Sequence, residues 1–128
     1  MEKTLYEKIE FRNILSDELN QAIRIEQICF PPNEACTPII MGERIAKASE
    51  LFLVAVDRST NELVGFLDGI STNECKFRDE FFTDINMYDI NGKNIMLLGL
   101  DVLPEYRGKG VANSIWGGEE WYEMVYEL

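Results

Sequence analysis

An apolar run from Ile95 to Leu103 stops at Pro104, and the chain then turns through Arg107-Gly108-Lys109-Gly110. A run of that composition reads as a strand buried on both faces, hence central in its sheet. The glycines after it let the backbone curl with its N–H groups pointing inward. A helix expected to begin at Gly108 adds its positive end, so this strand–turn–helix junction is suited to an anion. Arg107 and Lys109 place further positive charge beside it, and a pyrophosphate fits such a site. A solvated tight connection would use the same glycines, so the turn alone is a weak signal.

The remaining elements are read from periodicity and punctuation. Lys8 to Ile14 alternates and predicts a first strand, with Ile9 and Phe11 on one side. Ser16 is an N-cap, with Asp17 and Glu18 where the helix dipole favours acid. The helix it opens carries Leu19, Ala22, Ile23 and then Ile28 or Phe30 on its buried stripe, and Pro31-Pro32 ends it. Thr37-Pro38 starts a second helix whose buried stripe is Met41, Ile45 and Ala48. Leu51 to Asp57 and Leu63 to Ile70 are apolar strands joined by the polar hairpin loop Arg58 to Glu62. A helical turn is expected near Asp79 to Phe82, and Glu120 to Leu128 alternates as a last strand. The order βααβββαβ predicts one α/β (α+β) domain over residues 1–128, with a mixed, mostly antiparallel central sheet flanked by helices.

Composition removes several classes of function. The net charge of −11 repels a phosphate backbone, so nucleic acid is not an expected partner, while cations such as amines are permitted. The chain has no histidine, which closes every mechanism built on imidazole. Cys29, Cys36 and Cys75 are an odd number without metal-ligand spacing, so no metal site and no disulfide framework are expected. Three free thiols suit the reducing cytoplasm. Met1-Glu2-Lys3-Thr4 opens no signal peptide, and Ile95 to Leu100, the longest apolar run, is far too short to span a bilayer.

The string Leu100-Asp101-Val102-Leu103-Pro104 followed by Arg107-x-x-Gly110-x-Ala112 resembles the signature of the GCN5-related N-acetyltransferases (GNAT). The resemblance implies a loop that holds the acetyl-CoA pyrophosphate through backbone amides, here Arg107, Gly108, Lys109, Gly110, Val111 and Ala112. It also implies a strand that hydrogen-bonds the pantetheine arm, here Leu100, Asp101 and Val102. The segment from Ile25 to Thr37, with Phe30-Pro31-Pro32-Asn33-Glu34-Ala35, resembles the first-helix region of the arylalkylamine and polyamine acetyltransferase branch. In insect enzymes of that branch a glutamate here serves as base, and Glu34 matches it. Read from the residues alone, Glu34 is equally a solvated loop acid or a cap for the next helix. The vertebrate members use histidines on the strand before the cofactor loop, where this chain has Met96 and Leu98.

The resemblance runs from Ile9 to about Ala112 and resumes from Asn113 to Met124 as the family's last hairpin. Between these the family has a further strand–helix–strand unit, on the order of 30 residues, with a tyrosine acid. An internal segment near Gly110–Gly117 is therefore expected to be missing, and Tyr106 does not match that tyrosine. The implied function is transfer of an acetyl group from acetyl-CoA to a small primary amine, with Glu34 as catalytic base. The alternatives are a non-catalytic acyl-CoA-binding module and a protein-interaction domain. An exposed edge on the last strand predicts a homodimer through Glu120 to Leu128.

Overall fold

The computed structural model describes residues 4–115. A short helix α1 (Leu5–Lys8) leads into β1 (Ile9–Asn13). Helices α2 (Leu19–Cys29) and α3 (Pro38–Ala48) follow, then β2 (Phe52–Asp57), β3 (Glu62–Thr72), β4 (Asn94–Val102) and α4 (Val111–Ile115). The sheet order is β1-β2-β3-β4, and each of these pairings is antiparallel. This four-stranded antiparallel sheet flanked by helices is the α/β (α+β) class expected. The last strand at residues 120–128, the homodimer contact placed there and the end of the shortened segment, residues 116 and 117, lie outside the described residues.

Local signals place most boundaries. Thr37 caps α3 by accepting the Ile40 N–H at 3.3 Å, with Pro38 at the first helical position, where its missing N–H costs nothing. The residue before Pro31 is extended, which stops α2 at Cys29. Two details differ from the sequence reading. Ser16–Glu18 forms a 3-10 turn rather than the first α-turn, because the Glu18 carboxylate turns back onto the Leu15 N–H and onto Arg12. The buried stripe of α2 is Ala22, Ile25 and Glu26, while Ile28 is 47% exposed. The helix phase set by Ala22 carries the core face through Ile25 and leaves Ile28 pointing outward.

Among the described residues β3 is an interior strand and β4 lies at the end of the sheet order. β3 lies between β2 and β4, and every residue from Leu63 to Thr72 is buried. β4 pairs with β3 alone among the described residues, and Leu98, Gly99 and Leu100 on it are only partly covered. An apolar run reports that a strand is covered somewhere, but not how many strands flank it. Phe52, Val54, Phe66, Leu67 and Ile25 centre the main core, to which Val111 and Ile115 of α4 also belong. A smaller cluster around Ile70, Phe81 and Met96 closes the far end of the sheet, under 3-10 turns at Asp79–Phe82 and Ile85–Met87.

Candidate functional site

The glycine loop begins at the C-terminal end of β4. A 3-10 turn, Pro104–Tyr106, follows the strand, and α4 starts directly after Gly110 with the Ser114 N–H bonded to the Gly110 carbonyl. Gly108 and Gly110 have φ of +75° and +87°, values that L side chains adopt only under strain. A Cβ on Gly108 would meet no atom within 4 Å, and one on Gly110 would only touch Leu5, so both positions face open space. The glycines therefore serve the backbone path and leave it approachable from outside, as an anion cradle requires. That fits the coenzyme implied by the loop. The outer edge of β4 also fits, since no other described strand pairs with it.

The two cations of the loop are engaged differently. Arg107 folds back, donating Nε to the Val102 carbonyl at 2.9 Å and approaching Cys29 Sγ through Nη2 at 3.6 Å. Its guanidinium thus locks the end of β4 to α2. Lys109 Nζ lies 5.9 Å from the Tyr106 ring centre and stays at the surface, in no ion pair among the described residues. Tyr106 donates its hydroxyl to Asp57 Oδ2 at 2.5 Å, and that bond with burial pushes it up to about 12. A phenol so committed is a poor proton donor. A cavity of 780 Å³ lies beside the loop, lined among others by Lys8, Arg58 and Lys109. The same walls carry Glu7, Asp57 and Glu105, which balance those positive charges.

Glu34 sits exposed in the turn after α2, where the Glu34 and Ala35 N–H groups both bond the Pro31 carbonyl at 2.9 Å. Cys29 joins this side to the end of β4, its thiol donating to the Val102 carbonyl at 3.5 Å. Val102 and Arg107 are thus brought against the end of α2. Val111 is buried, Ala112 and Leu100 are half-buried, and Arg107, Gly108, Lys109 and Gly110 form an exposed rim.

Beneath Leu100 and Val102 lies a group of ionisable residues, of which the sequence reading singled out only Asp101, and that one for its place on the strand. Glu26 of α2, Arg44 of α3, Asp68 of β3 and Asp101 of β4 are all buried. Asp68 faces Gly99 across the sheet, and Asp101 lies two residues further along β4 on the same side. Arg44 Nη1 donates to Asp68 Oδ2 at 2.9 Å, and Nη2 donates to the Phe82 carbonyl at 2.8 Å. Burial pushes Asp68 up to about 6, against the pull of Arg44. Asp101 is raised much further above the carboxylate range, by burial first and then by its contact with Glu26. Burial also pushes the Cys36 thiol up to about 11 and raises Cys29, so neither is the thiolate that an acyl-cysteine relay needs. The signal was present locally. Glu26 and Arg44 fall on apolar helix stripes, and Asp68 and Asp101 interrupt apolar strand runs.

Among the described residues no helix is long and apolar enough to cross a membrane, and no group of side chains is arranged to hold a metal ion. The loading GNATL domain of CurA from Lyngbya majuscula shares the fold at a TM-score of 0.76 and 17% identity, covering 85% of this chain and 55% of that one. GphF, a GNAT-like decarboxylase solved with isobutyryl-CoA, gives 0.74 and 17%, covering 84% and 55%. Diaminobutyrate acetyltransferase from Paenibacillus lautus, solved with L-2,4-diaminobutyric acid and coenzyme A, gives 0.60 and 12%, covering 87% and 55%. The chain spans about half the length of these three structures. No curated protein is significantly similar to it. The model of the acetyltransferase (GNAT) family matches residues 17–117, most of the chain, and with the fold and the glycine loop in place the protein belongs to that family.

Proposed function

We propose that the chain carries the coenzyme half and the acceptor loop of an acetyl-CoA-dependent N-acetyltransferase acting on a small primary amine of the arylalkylamine or polyamine type. The observation that carries this reading is the meeting of three features at the end of β4. These are the loop Arg107 to Ala112 with Gly108 and Gly110 at positive φ, the edge at Leu100, Asp101 and Val102 that no other described strand pairs with, and the end of α2 leading to Glu34. Bound there, the coenzyme supplies the acetyl thioester. Lys109 and the backbone of Gly108 and Gly110 would hold its pyrophosphate, and the edge of β4 its pantetheine arm. Glu34, exposed on the acceptor side, accepts a proton from the ammonium, the route left open by the absence of histidine. The amine then attacks directly, since Cys29 and Cys36 are held as thiols. The free thiols and the acidic surface fit a reducing, cytoplasmic setting.

Calorimetric titration of CoA into the chain and its Gly110→Val variant tests the coenzyme assignment. The native chain should bind, and the variant at least about tenfold more weakly, because valine strains a φ of +87° and covers the approach to the backbone. Equal affinities would remove the loop from the site. Binding without turnover over a panel of amines would favour the non-catalytic acyl-CoA-binding module instead.

A further inference from the structure

The carboxylates under β4 outnumber the groups available to neutralise them. Arg44 is the one cation paired into the cluster among the described residues, and its bonds go to Asp68 and to the Phe82 carbonyl. Glu26 Oε2 accepts the Cys36 N–H at 2.7 Å. Asp101 is 1% exposed, and neither of its oxygens meets an N–H or O–H donor among the described residues. The neighbour that raises it furthest, after burial, is the carboxyl of Glu26, itself buried. Two acceptors in contact repel when both are ionised and bond when one carries a proton.

We propose that Glu26 and Asp101 share a single proton, and that this carboxyl pair clasps the acceptor loop to the cofactor strand. One end of the clasp is the Cys36 amide, two residues after Glu34. The other is Asp101, set between Leu100 and Val102. Glu26 and Asp101 are positioning residues: the proton between them fixes the place of Glu34 relative to the strand edge. The clasp itself rests on geometry, and only its consequence for acyl transfer rests on the function proposed above.

The groups facing the pair determine when it opens. These are Cys29 from α2, Cys36 from the acceptor loop, Arg44 from α3 and Asp68 from β3, with Arg107 bonded to Cys29 behind them. Asp68 ionises at about 6, largely against Arg44, and adds negative field to the pair. Cys36 keeps its proton up to about 11, so it supplies no charge before the pair titrates. The clasp is present while the shared proton is held and is lost as pH rises through its release, when two buried carboxylates face each other.

Asp101→Asn separates this titrating clasp from a purely structural contact, because an amide donates to Glu26 without carrying an ionisable proton. Hydrogen exchange of peptides covering residues 30–37, corrected for intrinsic rates, reads the Cys36 amide directly. In the native chain its protection should fall by at least about tenfold as pH rises from about 8 to about 11, through release of the proton that Asp101 holds to about 10, while the Asn variant stays protected across that range. Glu26→Gln, which keeps both bonds, should behave like Asp101→Asn. Asp101→Ala should be unprotected at both ends of the range. Parallel loss of protection in the native chain and Asp101→Asn, or full protection in Asp101→Ala, would overturn the proposal. So would the absence from the native chain at neutral pH of the infrared carbonyl band of a protonated carboxyl that Asp101→Asn removes. These readouts need no turnover, so the clasp can hold while the acetyltransferase reading fails. If both hold, the alkaline rise in amine KM should move to higher pH in Asp101→Asn.

Discussion

Replacing Arg44 by methionine keeps the aliphatic stem of the side chain and removes its guanidinium from Asp68 and from the Phe82 carbonyl. The native pair is 2.9 Å long, with side chains 6% and 0% exposed, so little water can replace the lost partner. Removing one member of such a pair costs about 3–5 kcal/mol when the survivor must stay charged. Asp68 can escape part of that cost by taking up a proton, which makes the penalty depend on pH. Its folded-state value, about 6, lies above the ordinary 3.8. The native state therefore holds more protons than the unfolded state in this window, and stability falls as pH rises, flattening above about 6 in the native chain. Without Arg44 the folded-state value climbs, and the fall continues at about 1.4 kcal/mol per pH unit. Near pH 5 Asp68 is mostly neutral in both proteins, and the variant loses only hydrogen bonds, about 1–2 kcal/mol. Near pH 8, about two units above the native titration, the deficit grows by roughly 3 kcal/mol to a total of about 4–5. Urea denaturation of both proteins at several pH values measures this directly. A stability difference that stays constant between those limits would show that Asp68 is not the group through which Arg44 acts.

Two further outcomes follow from the same geometry. A Cβ at Gly99 would lie 2.8 Å from Asp68 Oδ1 and 3.4 Å from Asp101 Oδ1, so Gly99→Ala should destabilise the fold by about 1–3 kcal/mol in thermal denaturation. An unchanged melting temperature would mean that the Asp68 carboxylate can swing aside. Glu34→Gln should lower amine turnover by about 10²-fold or more, with CoA affinity unaltered. A pH–rate profile identical to that of the native chain would transfer the role of base to another group.

Much of the loop after β4 could be read in one dimension. Pro104, Gly108 and Gly110 each act through their own backbone, so their spacing already states where a strand stops and where a loop needs positive φ. Thr37-Pro38 and Pro31-Pro32 are equally self-contained, and the helix boundaries they predict appear where expected. The misreadings occurred where a neighbour decides. Glu18 left the α-helix for Arg12 and Leu15, and the buried stripe of α2 runs through Glu26 rather than Ile28. Neither outcome is decided within the pattern that was read.

The sequence by itself determined where most of the described strands and helices lie, where the glycine loop lies, and that no side chain of this sequence is an imidazole. These are properties of backbone preference and of residues present or missing, and they need no knowledge of neighbours. The convergence of Glu26, Arg44, Asp68 and Asp101 was decided only by tertiary structure. Each announces itself locally as a charge on an apolar face, yet whether it meets an opposite charge, a like charge or water depends on helix packing and on the register that sets Asp68 against Gly99. In a buried setting that choice of partner governs whether a carboxyl keeps its proton, so the protonation state of this site is a property of the fold.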